Sequence, residues 1–211
     1  HRDLHSFPTR RSSDLFTDYV KIVTGHDHSG STAYWQELLQ GFSSPTPLGL
    51  RVKDFDQPVA SATENESTFL SEHVAQKLSN FSRDIGVTLN TLVQGAWGLL
   101  LAHYSGEIDI VFGNTRSGRN LYEPASESVG LFINTVPVRV KIDPTKTLVD
   151  YLRELRAQHI SVREHESTPL NQIQKLTEVD ASNSLFNTLV VFENYDLNNA
   201  LRRNGGKWLK R

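Results

Sequence analysis

Residues 131–142 read Leu-Phe-Ile-Asn-Thr-Val-Pro-Val-Arg-Val-Lys-Ile. Alternation places Phe132, Val136, Val138, Val140 and Ile142 on one face of a strand. Asn134 falls on that same face. A polar side chain among apolar ones must find hydrogen-bond partners or cost ~1–3 kcal/mol, so Asn134 is expected to have a specific task. Pro137 has no N–H for a ladder, which puts this strand at a sheet edge or a bulge.

Upstream, Ser105-Gly106 turns the chain into a strand from Ile108 to Phe112 that ends at Gly113. Before it come two helical stretches. Val74, Leu78, Phe81 and Ile85 recur at helical spacing after Ser71, with Gly86 as a cap. A second helix spans roughly Leu89 to Tyr104, with Leu92, Val93, Ala96, Trp97, Leu99, Leu100 and Leu101 around most of its circumference. That pattern predicts burial on nearly all sides. Tyr34 to Leu39 begins a short amphipathic helix, and residues 43–62, rich in Ser and Pro, read as a loop. Downstream, Thr147 opens a helix with Asp150 as a capping partner and Leu148, Tyr151, Leu152, Leu155 and Val162 as its buried stripe. Pro169 starts a short helix to Leu176. Thr188 to Phe192, apolar on both faces, predicts a central strand. Helices and strands alternate, so the fold class is α/β.

The chain has 211 residues, of which 37% are hydrophobic, with 22 basic and 24 acidic side chains. The length suits one domain, or one and a fraction. It has no Cys, which removes disulfides, thiolate nucleophiles and Cys-based zinc sites. It also has no Met and begins His1-Arg2-Asp3, as expected of a reading frame cut at both ends. No apolar run approaches a membrane span and no signal peptide is visible, so no membrane partner and a cytoplasmic location are expected.

The two ends differ from the middle. Residues 1–15 show no helical or strand period, and His5 to Leu15 matches, residue for residue, the translation of a sequencing-adaptor oligonucleotide. This segment is read as non-native. Residues 198–211 hold five basic and no acidic side chains and are expected to be a disordered tail. The body, residues 16–197, keeps 14 basic and 22 acidic residues. That acidic balance argues against a nucleic-acid partner.

Spacing alone yields no catalytic constellation. Gly113 to Arg119 imitates the start of a phosphate loop, but Arg119 and Asn120 stand where Lys and Ser or Thr should follow. His26-Asp27-His28 lies in a Gly/Ser-rich stretch without a third ligand, and His165-Glu166 lacks the second His of a zinc helix. His159, on the apolar stripe of its helix, reads as a core histidine, and Arg116 as a solvated loop arginine. No metal site is expected.

Several segments taken together resemble the condensation domain of nonribosomal peptide synthetases, in its C-terminal part. Val129 to Thr135, with Pro137 and Arg139, is similar to the family's (I/V)-G-x-F-(V/I)-N-T…R motif. Asp109 to Gly113 with Ser117-Gly118-Arg119 resembles the stretch before it, and His165 to Leu170 the H-Q-D-x-P-F motif after it. Phe16 to Val20 resembles the aromatic-x-D-Y segment, and Ser184 to Phe186 with Val191 to Tyr195 the last motif.

The resemblance implies a chloramphenicol-acetyltransferase-like lobe, a mixed sheet with flanking helices that forms one incomplete half of a V-shaped domain. It implies amide-bond formation between thioesters held by donor and acceptor peptidyl carrier proteins on phosphopantetheine arms, with no cofactor bound directly. Epimerisation or heterocyclisation relatives, a free-standing acyltransferase of the superfamily, and a non-catalytic carrier-docking module are the alternatives. The family's catalytic H-H-x-x-x-D-G motif belongs to an N-terminal lobe. None of the eight histidines here is adjacent to another, so no catalytic residue is assigned and the chain is expected to be an inactive fragment. Two residues carry over as active-site support. Arg119 matches the arginine that pairs with the Asp of that motif, and Asn134 matches the motif asparagine.

Residues 1–15 offer no periodic apolar face to offset an ordering cost of ~1–2 kcal/mol per residue. Deleting them is expected to leave the urea midpoint unchanged. A loss above ~1 kcal/mol, the centre of ordinary point-mutant effects, would show that they belong to the fold.

Overall fold

The structure, a computed structural model, describes residues 9–25, 29–47, 64–121 and 130–193. The segment His26-Asp27-His28, most of the Ser/Pro loop and the basic tail lie outside the described residues. In chain order the elements are α1 (Thr9–Gly25), α2 (Ser29–Leu39), α3 (Glu72–Asp84), α4 (Leu89–Ser105) and β1 (Asp109–Ser117). They continue with β2 (Ile133–Lys141), α5 (Leu148–Ser161), α6 (Leu170–Gln174) and β3 (Leu189–Val190).

The helices start where their hydroxyl caps allow. Ser71, Thr88 and Thr147 each accept the backbone N–H three residues on, from Val74, Thr91 and Asp150, which satisfies donors that have no intrahelical partner. Gly106 closes α4 at φ 76°, a left-handed conformation that glycine adopts without a Cβ clash. Helix α1 runs back to Thr9, across residues that show no helical period. Propagation costs little once a helix is nucleated, and residues 16–25 supply the nucleus.

The sheet is mixed and ordered β2-β1-β3, with β1 antiparallel to β2 and parallel to β3. β2 is therefore an edge strand among the described residues, the first of the two placements that Pro137 allows. Its outer edge at Arg139 is occupied by a side chain. The Gln158 amide accepts from the Arg139 N–H at 3.3 Å and donates to its carbonyl at 2.7 Å, imitating a neighbouring strand.

Three expectations are corrected. The strand at 188–192 is not central. Only Leu189 and Val190 pair, and β1 holds the middle because it bonds on both sides. On that side of β1 the Thr46 hydroxyl bonds the Val111 N–H at 3.0 Å and reaches its carbonyl at 3.4 Å, taking a strand's place at this position. β1 does not stop at Gly113 but continues to Ser117, so the phosphate-loop imitation is extended backbone as far as Ser117, followed by a 3-10 turn from Gly118.

The third correction concerns α4. Its buried residues are Thr91, Gln94, Gly95, Gly98 and Leu101, whereas Val93, Ala96, Leu99 and Leu100 are exposed. Hydrophobicity around the whole circumference does not say which side faces in. Close packing on α5 selects the glycine side, because a Cβ on Gly95 would overlap Leu152.

Two cores result. Ile110, Phe112, Val138 and Val140 pack under Leu101, Tyr151, Leu152 and Leu155. A second core gathers Trp35, Leu39 and Phe42 with Val111, Val136, Val162 and Ile173. No single helix among the described residues is long and apolar enough to cross a membrane.

Gly98 sits where α4 meets both layers. An added Cβ would lie 2.8 Å from the Tyr151 hydroxyl and 2.8 Å from a Val140 methyl. Alanine's helix propensity favours the substitution by ~1 kcal/mol, and overpacking opposes it by ~1–3 kcal/mol. Tyr151 is also held by its bond to the Gly95 carbonyl at 3.0 Å, so packing should win. Gly98→Ala is expected to lower the urea midpoint; a rise would mean that this contact is loose.

Candidate functional site

The N-terminal end of β2 and the facing end of β1 collect the motif residues. Phe132 is buried under the rings of Tyr19, 4.7 Å away, and Phe16, 5.5 Å away. The Arg119 guanidinium lies 4.4 Å from the Phe132 ring centre on the other motif segment, a cation–π distance. Gly118 and Gly130 make room, since a Cβ on either would overlap Tyr19 or Phe16. Three segments far apart in sequence thus form one aromatic cluster, and Arg119 is part of it.

Asn134 is two residues along β2. Its amide donates to the Glu166 carbonyl at 2.8 Å and the Thr168 carbonyl at 2.9 Å. Its carbonyl accepts from the Thr135 N–H at 2.9 Å. These bonds are the task the sequence pattern demanded: they tie β2 to the turn between α5 and α6. His165, at the start of that turn, stacks on Tyr34 with ring centres 4.2 Å apart, and its Nδ1 is 3.0 Å from the Ser31 hydroxyl. Helix α2 is thereby joined to the same turn.

Sequence reasoning missed Arg116. With β1 running on to Ser117, alternation carries Arg116 to the face of Ile110, Phe112 and Asn114, directly across from Asn134. It is half-buried rather than solvated, because the strand ends four residues later than the pattern suggested. Glu166 and His159, both buried, lie within electrostatic range of it. Burial raises the Glu166 carboxyl above its ordinary range, against the pull of Arg116 and Arg163. Burial also lowers the Arg116 and His165 values. Tyr34 is pushed up to about 12, chiefly by burial. The signal that could have found Arg116 was its even spacing from Ile110 and Phe112.

His159 is the core histidine its stripe implied. It is 3% exposed, 3.3 Å from the Thr91 hydroxyl, and its value falls to about 3 through burial, then the charges of Arg116 and Arg156. The site brings the Glu166 carboxylate together with imidazole and guanidinium groups. That set can hold and orient a substrate or a partner segment. Among the described residues no three His, Asp or Glu side chains gather as a metal site.

The family described as "Condensation domain" matches residues 3–205. A linear gramicidin synthase polypeptide of Brevibacillus parabrevis is 40% identical over 184 residues, which is 87% of this chain and 4% of that protein. Chondramide synthase cmdD of Chondromyces crocatus is 40% identical over 190 residues, covering 89% of this chain and 5% of that protein. Among solved structures, the four-domain nonribosomal peptide synthetase holo-AB3403 superposes with a TM-score of 0.65 at 22% identity, over 84% of this chain and 14% of that one. The chain belongs to the condensation domain family, and its fold is one chloramphenicol-acetyltransferase-like lobe. It spans a small part of the length of these relatives.

His159 generates a pH prediction. Its folded value lies below the unfolded ~6.5, so the unfolded chain binds the proton more readily. Stability from this group is complete above about pH 6.5 and falls as pH drops toward the folded value, by at most ~1.4 kcal/mol per pH unit. Glu166, with a raised value, has the opposite sign above its unfolded value. Urea titrations at pH 7, 6 and 5 should show a shallower loss in His159→Gln than in the unsubstituted chain. Parallel slopes would mean that His159 titrates normally.

Proposed function

We propose that this chain is the C-terminal lobe of a cytoplasmic condensation domain that makes amide bonds in nonribosomal peptide synthesis. The substrates are an acceptor aminoacyl thioester and a donor peptidyl or acyl thioester, each carried on the phosphopantetheine arm of a peptidyl carrier protein. The acceptor amine attacks the donor carbonyl carbon and the tetrahedral intermediate collapses. The C–S bond breaks, the amine proton is lost, and the donor arm leaves as a thiol. Two tethered substrates gain most from proximity, worth up to ~7–11 kcal/mol.

Asn134 carries this reading. Both its amide hydrogens and its carbonyl are engaged by backbone groups, so it acts on the reaction through the 166–168 turn, as a positioning residue. Arg119, beside Phe132, is assigned the ion pair with the Asp of an H-H-x-x-x-D-G motif on a partner lobe. Its planar fork suits a carboxylate bidentately and keeps its charge when buried. Neither residue is assigned a proton-transfer role. The general-base or substrate-positioning His of the family belongs to that other lobe, and no adjacent His pair occurs in these 211 residues.

The 211-residue chain alone is therefore inactive. Mixed with loaded donor and acceptor carrier proteins, it should give no dipeptidyl thioester above a protein-free blank by mass spectrometry. The same lobe within a domain that carries H-H-x-x-x-D-G should give product. Product from the chain alone would overturn the assignment of chemistry to the other lobe, and no product from the complete domain would overturn the assignment of reaction.

A further inference from the structure

Two arginines in this lobe present the same edge in different states. Arg139 grips Asp109 side-on, Nε to one carboxylate oxygen at 2.8 Å and Nη2 to the other at 2.6 Å. Arg116 has its Nε and Nη2 buried too, and neither has a hydrogen-bond partner. A desolvated guanidinium edge without an acceptor is strongly disfavoured.

Its surroundings are equally unfinished. The Tyr34 hydroxyl, the Thr168 hydroxyl, His159 Nε2 and both side-chain polar atoms of Asn114 are buried without partners. Asn114, His159 and Thr168 are each at least 97% buried. They belong to the neighbourhood of Arg116. Asn114 precedes it by two residues on the same strand face, and Thr168 is held by Asn134, which lies directly across from Arg116. Tyr34 and His159 are within its electrostatic range. Most of these groups can donate a hydrogen bond.

The charge balance has the same sign. The ionised groups that act on Arg116 are Arg156, Arg163 and Glu166. With Arg116 itself that is three cations to one carboxylate, and Glu166 makes no ion pair with Arg116. Tyr34 also lines a cleft of about 380 Å³ with Glu37, Leu38, Gln158 and Ser161, which brings solvent to its ring.

We propose that the Arg116 edge is an oxyanion-binding site, for a carboxylate or a phosphate whose two oxygens take Nε and Nη2 as Asp109 takes those of Arg139. The unpartnered Tyr34 and Thr168 hydroxyls and the Asn114 amide supply the remaining donors. Binding satisfies the unpartnered fork and offsets the excess positive charge. A carboxylate source would be a substrate or partner side chain, and a phosphate source a phosphorylated small molecule or a carrier arm.

The test is a titration of the full 211-residue chain, followed through the arginine Nε–H resonances by proton–nitrogen NMR. The probes are sodium phosphate, sodium acetate and sodium chloride at constant ionic strength and pH 7. The resonance that disappears in Arg116→Lys should move saturably with phosphate, with acetate, or with both, and not with chloride. Response to phosphate alone or acetate alone identifies the source. Glu166→Gln removes the nearby negative charge and should lower the half-saturating concentration several-fold. Absence of a saturable shift, equal shifts in all arginine resonances, or an unchanged half-saturation in Glu166→Gln would each overturn the proposal.

Discussion

Arg139 is the constraint on which the rest of the lobe depends. Its side chain is 6% exposed and makes four hydrogen bonds: two to Asp109 at the start of β1, and two to the Leu38 and Gln40 carbonyls at the end of α2. Its own backbone is held by Gln158 of α5. One residue of β2 therefore touches β1, α2 and α5. A buried charge is tolerated only where pairing and hydrogen bonds repay its desolvation. That requirement fixes the register of β1 on β2 and seats the α2 terminus, from which Trp35, Leu39 and Phe42 fill the second core.

With that register set, the end of the sheet that carries the motif residues follows geometrically. Asp109 faces Lys141, so Arg116 faces Asn134 and Ser117 faces Ile133. Phe132 then lies within reach of Tyr19, Phe16 and Arg119, and Asn134 within reach of the 166–168 turn. A slip of one residue would put Asn134 and Arg116 on opposite faces of the sheet. The motif residues are near one another because the part-buried Arg139–Asp109 ion pair at the far end of the strand permits one alignment.

The helix layer shows a different balance. Small residues on α4, Gly95 and Gly98, let α5 approach closely enough for Tyr151 to bond a backbone carbonyl and for Leu152 to cover the helix. Close approach gains dispersion contacts for both partners, and it leaves the larger apolar side chains of α4 on the other side. Trp97 is partly buried there, with its Nε1 3.3 Å from the Thr188 hydroxyl beside β3.

The sequence by itself determined the α/β class, the cap at Thr147, the restriction of β2 to an edge or a bulge and the need of Asn134 for partners. Each follows from one residue's own chemistry or from a period of two or four, and both act over short stretches of chain. Family membership was legible in the same way, from motifs of a few residues in order. Tertiary structure alone decided that β1 and not β3 is central, which side of α4 faces inward, and that Arg116 enters the site rather than the solvent. Those outcomes rest on contacts between residues far apart in sequence: Thr46 with Val111, Leu152 against Gly95, Arg116 across from Asn134. A local pattern such as the even spacing of Arg116 from Ile110 gives the strand face, but whether that face is covered depends on what the rest of the chain places opposite it.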